Sequence, residues 1–437
     1  MNRLLEIFRK KKQEIVIENT KMSAAISEWS SLYENQKGYQ NPERLHLAQA
    51  IASELARLTT LELTSKISGS KRAEYLDGQY QNIIKKARLF TEYACAKGGV
   101  VLKPYIEKGK ILLSIIQADD FCPTSFTSDG EISGAIFYDT FRENGFYFTR
   151  LEEHSLKNNI LIIKNTAFKS KVSDSIGEEI SLKSVSKWES IEPYCKIENI
   201  KRPLFSYFKM PMANTIDTSS PLGVSVYSKA VNLIKDANTQ YQNLLWEFES
   251  GKRALYIDES AVQRDELGNT IIPDKRLYRM LVTDDNTLFE DWSPEFREAS
   301  ILAGFDRILR SIEFNCGLAY GTLSDIQNVD KTAEEIKASK QRSYSTVSDI
   351  QNSLKKTLLE IVEIMDIYCD IYSINPKGEY TVEFDFDDSL IVDRNAELNE
   401  KLLLLEKQII KPWELRAWYF NEEEKKAKEM TEASYEI

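Results

Sequence analysis

The stretch VSVYSKAVNLIKDANTQYQNLLWEFESG, residues 224–251, decides how the rest of the chain is read. Tyr227, Val231, Ile234, Tyr241, Leu245 and Phe248 recur at intervals of three, four or seven. That spacing gathers side chains on one face of an α-helix, so a helix is expected from about Val224 to Ser250. Gly251 is a suitable stop, because glycine adopts the left-handed conformation that ends many helices without a Cβ penalty. Beyond it, Ala254 to Ile257 and Leu277 to Val282 read as strands around a turn at Leu267, Gly268 and Asn269, a small β insertion over 252–292. Ser293 followed by Pro294 supplies a capping residue and a first helical position. Leu302, Phe305, Leu309, Ile312 and Cys316 then carry a second helix over 296–316. Two helices therefore bracket one small β module.

C-terminal to this unit, residues 317–331 form a break with Gly317, Gly321 and several small polar side chains. Thr332 with Glu335 makes a capping box that opens a helix reaching Tyr372. About forty residues at 1.5 Å each give a rod of roughly 60 Å, longer than a compact monomer normally needs. Its apolar positions Ile336, Tyr344, Val347, Ile350, Leu354, Leu358, Ile361, Met365 and Tyr368 wander across faces, which disfavours a two-stranded coiled coil. After Pro376 and Gly378, Tyr380 to Phe386 alternates as a strand. Residues 393–437 return to helix, with Pro412 starting a new one and Glu422–Lys426 and Glu424–Lys428 spaced as i,i+4 pairs on a solvated face.

N-terminal to the unit, Leu45, Ala48, Ile51, Ala52, Leu55, Ala56 and Leu58 place a helix over 44–63. A second is expected from Tyr80 to Lys97, stopped by Gly98 and Gly99. From Val100 to about Tyr207 the period becomes that of strands. One hairpin joins Val100–Ile106 to Ile111–Ile116, and another joins Ala135–Phe141 to Phe146–Leu151 through Asn144 and Gly145. Phe137, Tyr138, Phe146, Tyr147 and Phe148 are expected to fill a core rather than to stack on bases.

Composition sets the class. The 437 residues imply two to four packed units, and 42% hydrophobic with 29% charged residues is the balance of a globular protein. Mean hydropathy is -0.39. With 57 basic and 68 acidic residues the net charge is -11, so the chain is no polycation that grips phosphate by mass action. No run of 18 apolar residues is present, and the apolar residues of the first dozen precede the basic run Arg9–Lys12, the reverse of a secretory signal. Residence in the cytoplasm where the chain is made is the expectation.

Chemistry-bearing residues are sparse. His46 and His154 are the only histidines, which weakens triad, general-base and zinc readings. Cys95, Cys122, Cys195, Cys316 and Cys369 are widely spaced and read as buried free thiols. Glu383, Asp385, Asp387, Asp388 and Asp393 are the best metal candidates, yet alternation sends Glu383, Asp385 and Asp387 to one face of an ordinary half-buried strand. Neither a GxxxxGK[ST] nor a GxGxxG loop occurs, which disfavours an ATPase. No cofactor, catalytic residue or metal site is expected.

Three stretches together resemble the portal proteins of tailed bacteriophages, in the branch typical of phages of Gram-positive hosts. They are Thr149–Leu156 with the strand Ile160–Lys164 and Gly177; Phe205–Tyr227 with the helix holding Asp236, Tyr241 and Glu247; and the run from Cys316 through Gly-Leu-Ala-Tyr-Gly-Thr-Leu-Ser to Lys331–Ile336 and on to Gln351. The resemblance implies an α+β subunit of a homo-oligomeric ring, usually of twelve copies, at one capsid vertex of the virion. It implies a wing over 1–223 and 332–392, stem helices over 224–251 and 293–316, a clip over 252–292, a channel loop over 317–331 and a helical crown over 393–437. Where the family often shows Gly and Ser before its last helix, this chain has Gln408, Ile409, Ile410, Lys411 and Pro412.

By the same resemblance the ring conducts double-stranded DNA in packaging and ejection and is assembled in the host bacterial cytoplasm. Gly317, Tyr320, Gly321, Thr322, Ser324, Asp325, Gln327, Asn328, Asp330 and Lys331 would face the DNA. Arg253, Arg264, Asp274, Lys275 and Arg276 in the clip would dock the terminase large subunit and head-completion or adaptor proteins, with capsid and scaffolding proteins as further partners and no membrane. Two rival readings are a metal-dependent nuclease or hydrolase using the 383–393 carboxylates and a structural adaptor without a channel.

Overall fold

The computed structural model describes residues 20–34, 45–173, 175–250, 254–258, 278–281, 289–292, 297–324, 333–386, 394–420, 422 and 424–435. Apolar spacing builds the first helices, α1 (Thr20–Glu34) and α2 (Leu47–Thr60), and α2 buries Leu47, Ala48, Ile51, Ala52, Leu55 and Ala56 on one face. A short strand, β1 (Thr64–Ser68), leads to α3 (Lys71–Ile84), where the Ser70 hydroxyl caps by accepting from the Ala73 N–H at 3.2 Å. The helix expected from Tyr80 to Lys97 is two helices, because the chain breaks at exposed Lys85 and Lys86 before α4 (Ala87–Lys97). The break lets Tyr80 and Ile83 on one piece and Phe90, Ala94 and Cys95 on the next all reach the same core. Gly98 ends α4 at φ 86°, with its N–H on the Ala94 carbonyl.

The strands follow in chain order: β2 (Gly99–Glu107), β3 (Lys110–Gln117), β4 (Phe121–Phe126), β5 (Ile132–Glu143), β6 (Phe146–Lys157), β7 (Ile160–Ser170), β8 (Glu178–Ile180), β9 (Tyr194–Glu198) and β10 (Ser206–Lys209). β10, β2 and β3 form one sheet, and β4 to β7 run antiparallel in a second whose last strand pairs with both β8 and β9. Both expected hairpins form. Asn144 and Gly145 take φ 49° and 79°, the left-handed pair that a tight hairpin turn requires. Phe137 is buried, and Phe141 stacks on Phe148 at 5.4 Å beside Trp188, so these aromatics pack on the protein.

The remaining elements are α5 (Val231–Ser250), β11 (Ala254–Asp258), β12 (Tyr278–Leu281), β13 (Phe289–Trp292), α6 (Glu298–Cys316), α7 (Ala333–Ile371), β14 (Thr381–Asp385), α8 (Arg394–Glu406), α9 (Pro412–Phe420) and α10 (Glu424–Tyr435). Three expectations are corrected here. The helix expected from Val224 starts at Val231 after a 3₁₀ turn, because residues 224–227 are laid across the end of α4. There the Val226 N–H and the Ser225 hydroxyl both donate to the Cys95 carbonyl, and Tyr227 donates to the Trp29 carbonyl. The helix expected from Ser293 starts at Glu298; Ser293 and Pro294 lie outside the described residues. Of the cysteines read as buried thiols, Cys95, Cys316 and Cys369 are buried, Cys122 is half-buried and Cys195 is exposed.

The small module forms a sheet of order β12-β11-β13, with β11 parallel to β12 and antiparallel to β13. The long helix α7 spans 39 residues and buries Val347, Ile350, Leu354, Leu358, Ile361, Val362, Ile364 and Met365 against the body. β14 pairs with β1 in register from Thr64↔Asp385 to Ser68↔Thr381, tying the ends of the body together. Val382 and Phe384 on β14 are half-buried while Glu383 and Asp385 are exposed, the expected alternation. Asp387, Asp388 and Asp393 lie outside the described residues, among which no cluster of three or more His, Cys, Asp or Glu is arranged to hold a metal. Among the described residues no helix is long and apolar enough to cross a membrane.

Candidate functional site

The helix pair α5 and α6 and the segment that leaves it form the candidate site. On α5, Val231, Ile234, Ala237 and Leu244 are buried, and on α6, Leu309, Ile312, Glu313 and Cys316. Tyr241 and Phe305 meet between the helices with ring centroids 6.4 Å apart. At the end next to the β module, the Arg297 guanidinium grips Glu247 as a fork, Nε to Oε1 at 3.0 Å and Nη2 to Oε2 at 2.7 Å. The fork holds the Glu247 carboxyl below the usual carboxylate range. It ties the last turn of α5 to the residue that precedes α6.

The apolar line read from sequence continues too far. Leu245 and Phe248 are exposed, as are Trp246 on the same helix and Leu302 and Phe314 on α6.

At the other end, Gly317 (φ 70°) terminates α6, with the Leu318 N–H on the Glu313 carbonyl at 2.9 Å. A Cβ at Gly317 would stand 2.3 Å from the Thr346 hydroxyl of α7, so the position needs glycine for both conformation and space. The chain then folds back onto a side chain of α6. Oε1 of Glu313 accepts from the N–H groups of Gly321 (3.1 Å), Leu323 (2.6 Å) and Ser324 (3.0 Å), and Oε2 accepts from the Ser324 hydroxyl at 2.9 Å. Arg342 of α7 lies over the Phe314 ring at 4.5 Å and the Tyr320 ring at 5.3 Å.

This geometry sorts the site residues read from sequence. Gly317, Tyr320, Gly321, Thr322 and Ser324 come together as a folded base between α6 and α7. Ser324 is buried with its hydroxyl donating to Glu313, and the Thr322 hydroxyl donates to the Ala319 carbonyl at 2.6 Å. Asp325, Gln327, Asn328, Asp330 and Lys331 lie outside the described residues, as do Arg253, Arg264, Asp274, Lys275 and Arg276. Sequence reasoning missed Glu313, Arg297 and Arg342. Glu313 carried a signal, since an acidic residue in the last turn of a helix opposes the macrodipole.

A family model described as Phage portal protein, SPP1 Gp6-like, matches residues 71–437. The chain belongs to the phage portal protein family. No curated protein matches it. The mixed helix and sheet architecture agrees with an α+β portal subunit, and the family is a structural one. The portal match begins at α3 and runs through the helix pair, its β module, the folded base and α7 to the C-terminus.

Proposed function

We propose that this portal protein closes into a homo-oligomeric ring of twelve copies at one vertex of the virion capsid and conducts double-stranded DNA during packaging and ejection. The family match over 71–437 carries the reading. Residues 224–251 and 293–316 act as the stem around the channel, 252–292 as the clip, 317–331 as the channel loop, 1–223 with 332–392 as the wing and 393–437 as the crown. Exposed Leu245, Trp246, Phe248 and Leu302 support this, since a head-to-tail interface would cover them in every copy until rotation closes the ring. The clip, with Arg253, Arg264, Asp274, Lys275 and Arg276, receives the terminase large subunit and the head-completion adaptors, and capsid and scaffolding proteins meet the wing. Assembly occurs in the host cytoplasm.

The portal works without turnover: it offers DNA many shallow contacts repeated around a ring, which suits sequence-independent sliding. Native mass measurement with electron microscopy of the purified chain and of heads tests the ring; a monomer or dimer under every condition overturns it. Incubation of DNA with the protein and Mg²⁺ or Mn²⁺ tests the rival nuclease. Cleavage lost in Asp385→Ala would establish that rival, whereas the portal reading expects no cleavage from either protein. Replacing Asp325 and Asp330 with Lys is expected to slow packaging while leaving ring formation intact.

A further inference from the structure

Glu313 is fully buried, and its carboxylate makes no ion pair among the described residues. A buried carboxylate without a counter-ion is costly unless hydrogen-bond donors replace the water it has lost. The helix that carries it makes matters worse, because Glu313 sits in the last turn of α6, at the negative end of the dipole. Compensation comes from the segment that follows. Three N–H groups and one hydroxyl from Gly321, Leu323 and Ser324 converge on its two oxygens. Gly321 takes φ 88°, a conformation that other residues rarely adopt, within this turn. The base is wedged from the other side by α7, through the Gly317–Thr346 approach and the Arg342 stack on Tyr320.

We propose that Glu313 is a positioning residue that fastens residues 317–324 to the end of α6, so that the stem helix itself carries the base of the channel loop. The proposal rests on the channel-loop reading of 317–331. Thr322 and Ser324 then belong to the mount. A shift of the stem helix then carries this mount with it, since the carboxylate ties the segment to α6 by four hydrogen bonds.

The test uses the full-length chain assembled as rings and incorporated into heads, carrying Glu313→Leu, Glu313→Gln or Ser324→Ala. Hydrogen exchange of residues 317–324 and DNA packaged per head are both measured. Glu313→Leu removes every acceptor, and exchange in this segment is expected to speed up by about ten-fold or more, with packaging falling by a similar factor and ring formation unchanged. Glu313→Gln is expected to rescue both, because the amide oxygen keeps the three N–H bonds and the amide nitrogen donates to the Ser324 oxygen. Unchanged exchange in Glu313→Leu overturns the proposal. Faster exchange with normal packaging overturns the channel-loop reading and the positioning role with it, while the anchoring contact itself stands. If Glu313→Leu does not assemble, Ser324→Ala decides, since it removes one donor and is expected to speed exchange by about two- to ten-fold; no change there also overturns the proposal.

Discussion

The long helix α7 and the C-terminal helices α8–α10 all carry large apolar side chains, yet these are covered to very different degrees. α7 drives Leu354, Leu358, Ile361, Val362, Ile364 and Met365 fully into the body. In α9 no residue is buried, and Ala427 is the one buried apolar residue among the described positions of α8–α10. Leu402, Leu403, Ile409, Tyr419, Phe420 and Met430 remain exposed there. Periodicity declares that a helix has an apolar face; it does not declare which molecule covers that face. The apolar face of α7 is largely covered within one copy, and the C-terminal helices, in the ring proposed above, would be covered by others.

The sharpest break of this contrast lies at Arg72, almost fully buried where α3 meets α7. Its guanidinium binds Asp366 at 2.8 Å and Asp370 at 2.7 Å and also donates to the Asp366 carbonyl at 3.1 Å. Arg72→Ala leaves the Asp366 carboxylate and carbonyl without this donor and Asp370 with only Lys377, at 3.6 Å. The expected loss is about 3–5 kcal/mol of stability, read as a lowered urea midpoint of the unassembled chain. Next in size is Leu354→Ala, which removes a fully buried side chain from the same helix. About 2–5 kcal/mol is expected from the same measurement, the spread reflecting how far the cavity collapses.

The body was legible in the sequence wherever local rules and burial agreed. The Asn144–Gly145 hairpin, the β14 alternation and the 39-residue helix all follow from spacing and turn chemistry alone. Errors arose where a distant backbone intervened. Residues 224–227 have helical spacing but are held by Cys95 and Trp29, neither of which is near in sequence. The parallel pairing of β11 with β12 has no local signature, because both pairing modes read alike along one strand. The break after α6 was legible, since glycine and small polar residues mark it. The Glu313 anchor was not, because three of its four bonds come from backbone N–H groups that no side-chain motif records.

The body also holds a group that should make its stability depend on pH. His154 is buried on β6, with Nε2 2.7 Å from Glu152, which Lys103 of β2 and Arg150 also bind. Tyr368 of α7 lies near the same carboxylate. Burial lowers the His154 pKa from its ordinary 6.5, and Glu152 only partly offsets this. The native state thus refuses a proton that the unfolded chain accepts, so stability falls as pH drops through 6.5, by at most about 1.4 kcal/mol per pH unit. Asp120, raised to about 6 by burial, works in the opposite direction. Comparing the wild type with His154→Gln between pH 8 and about 5 cancels it. The wild type should lose stability relative to the variant only below about pH 6.5; parallel curves would show that His154 titrates alike in both states.

The smallest expected effect falls on the C-terminal helices and is the most informative about assembly. Leu403 and Ile409 are 55% and 65% exposed. Ile409 follows Gln408, which at φ 57° takes the left-handed turn position often given to glycine. Since neither side chain gains much cover within one copy, Leu403→Ser and Ile409→Ser should move the urea midpoint of the unassembled chain by no more than about 0.5 kcal/mol. In the ring proposed above the same side chains would lie against neighbouring copies, and the cost would repeat at each interface. The fraction of chain recovered as closed rings, measured by native mass, should therefore fall although the monomer is unchanged. A large loss in the monomer would mean that the copy itself covers these residues, erasing the contrast with α7. An unchanged ring fraction would leave the C-terminal helices outside the assembly interface.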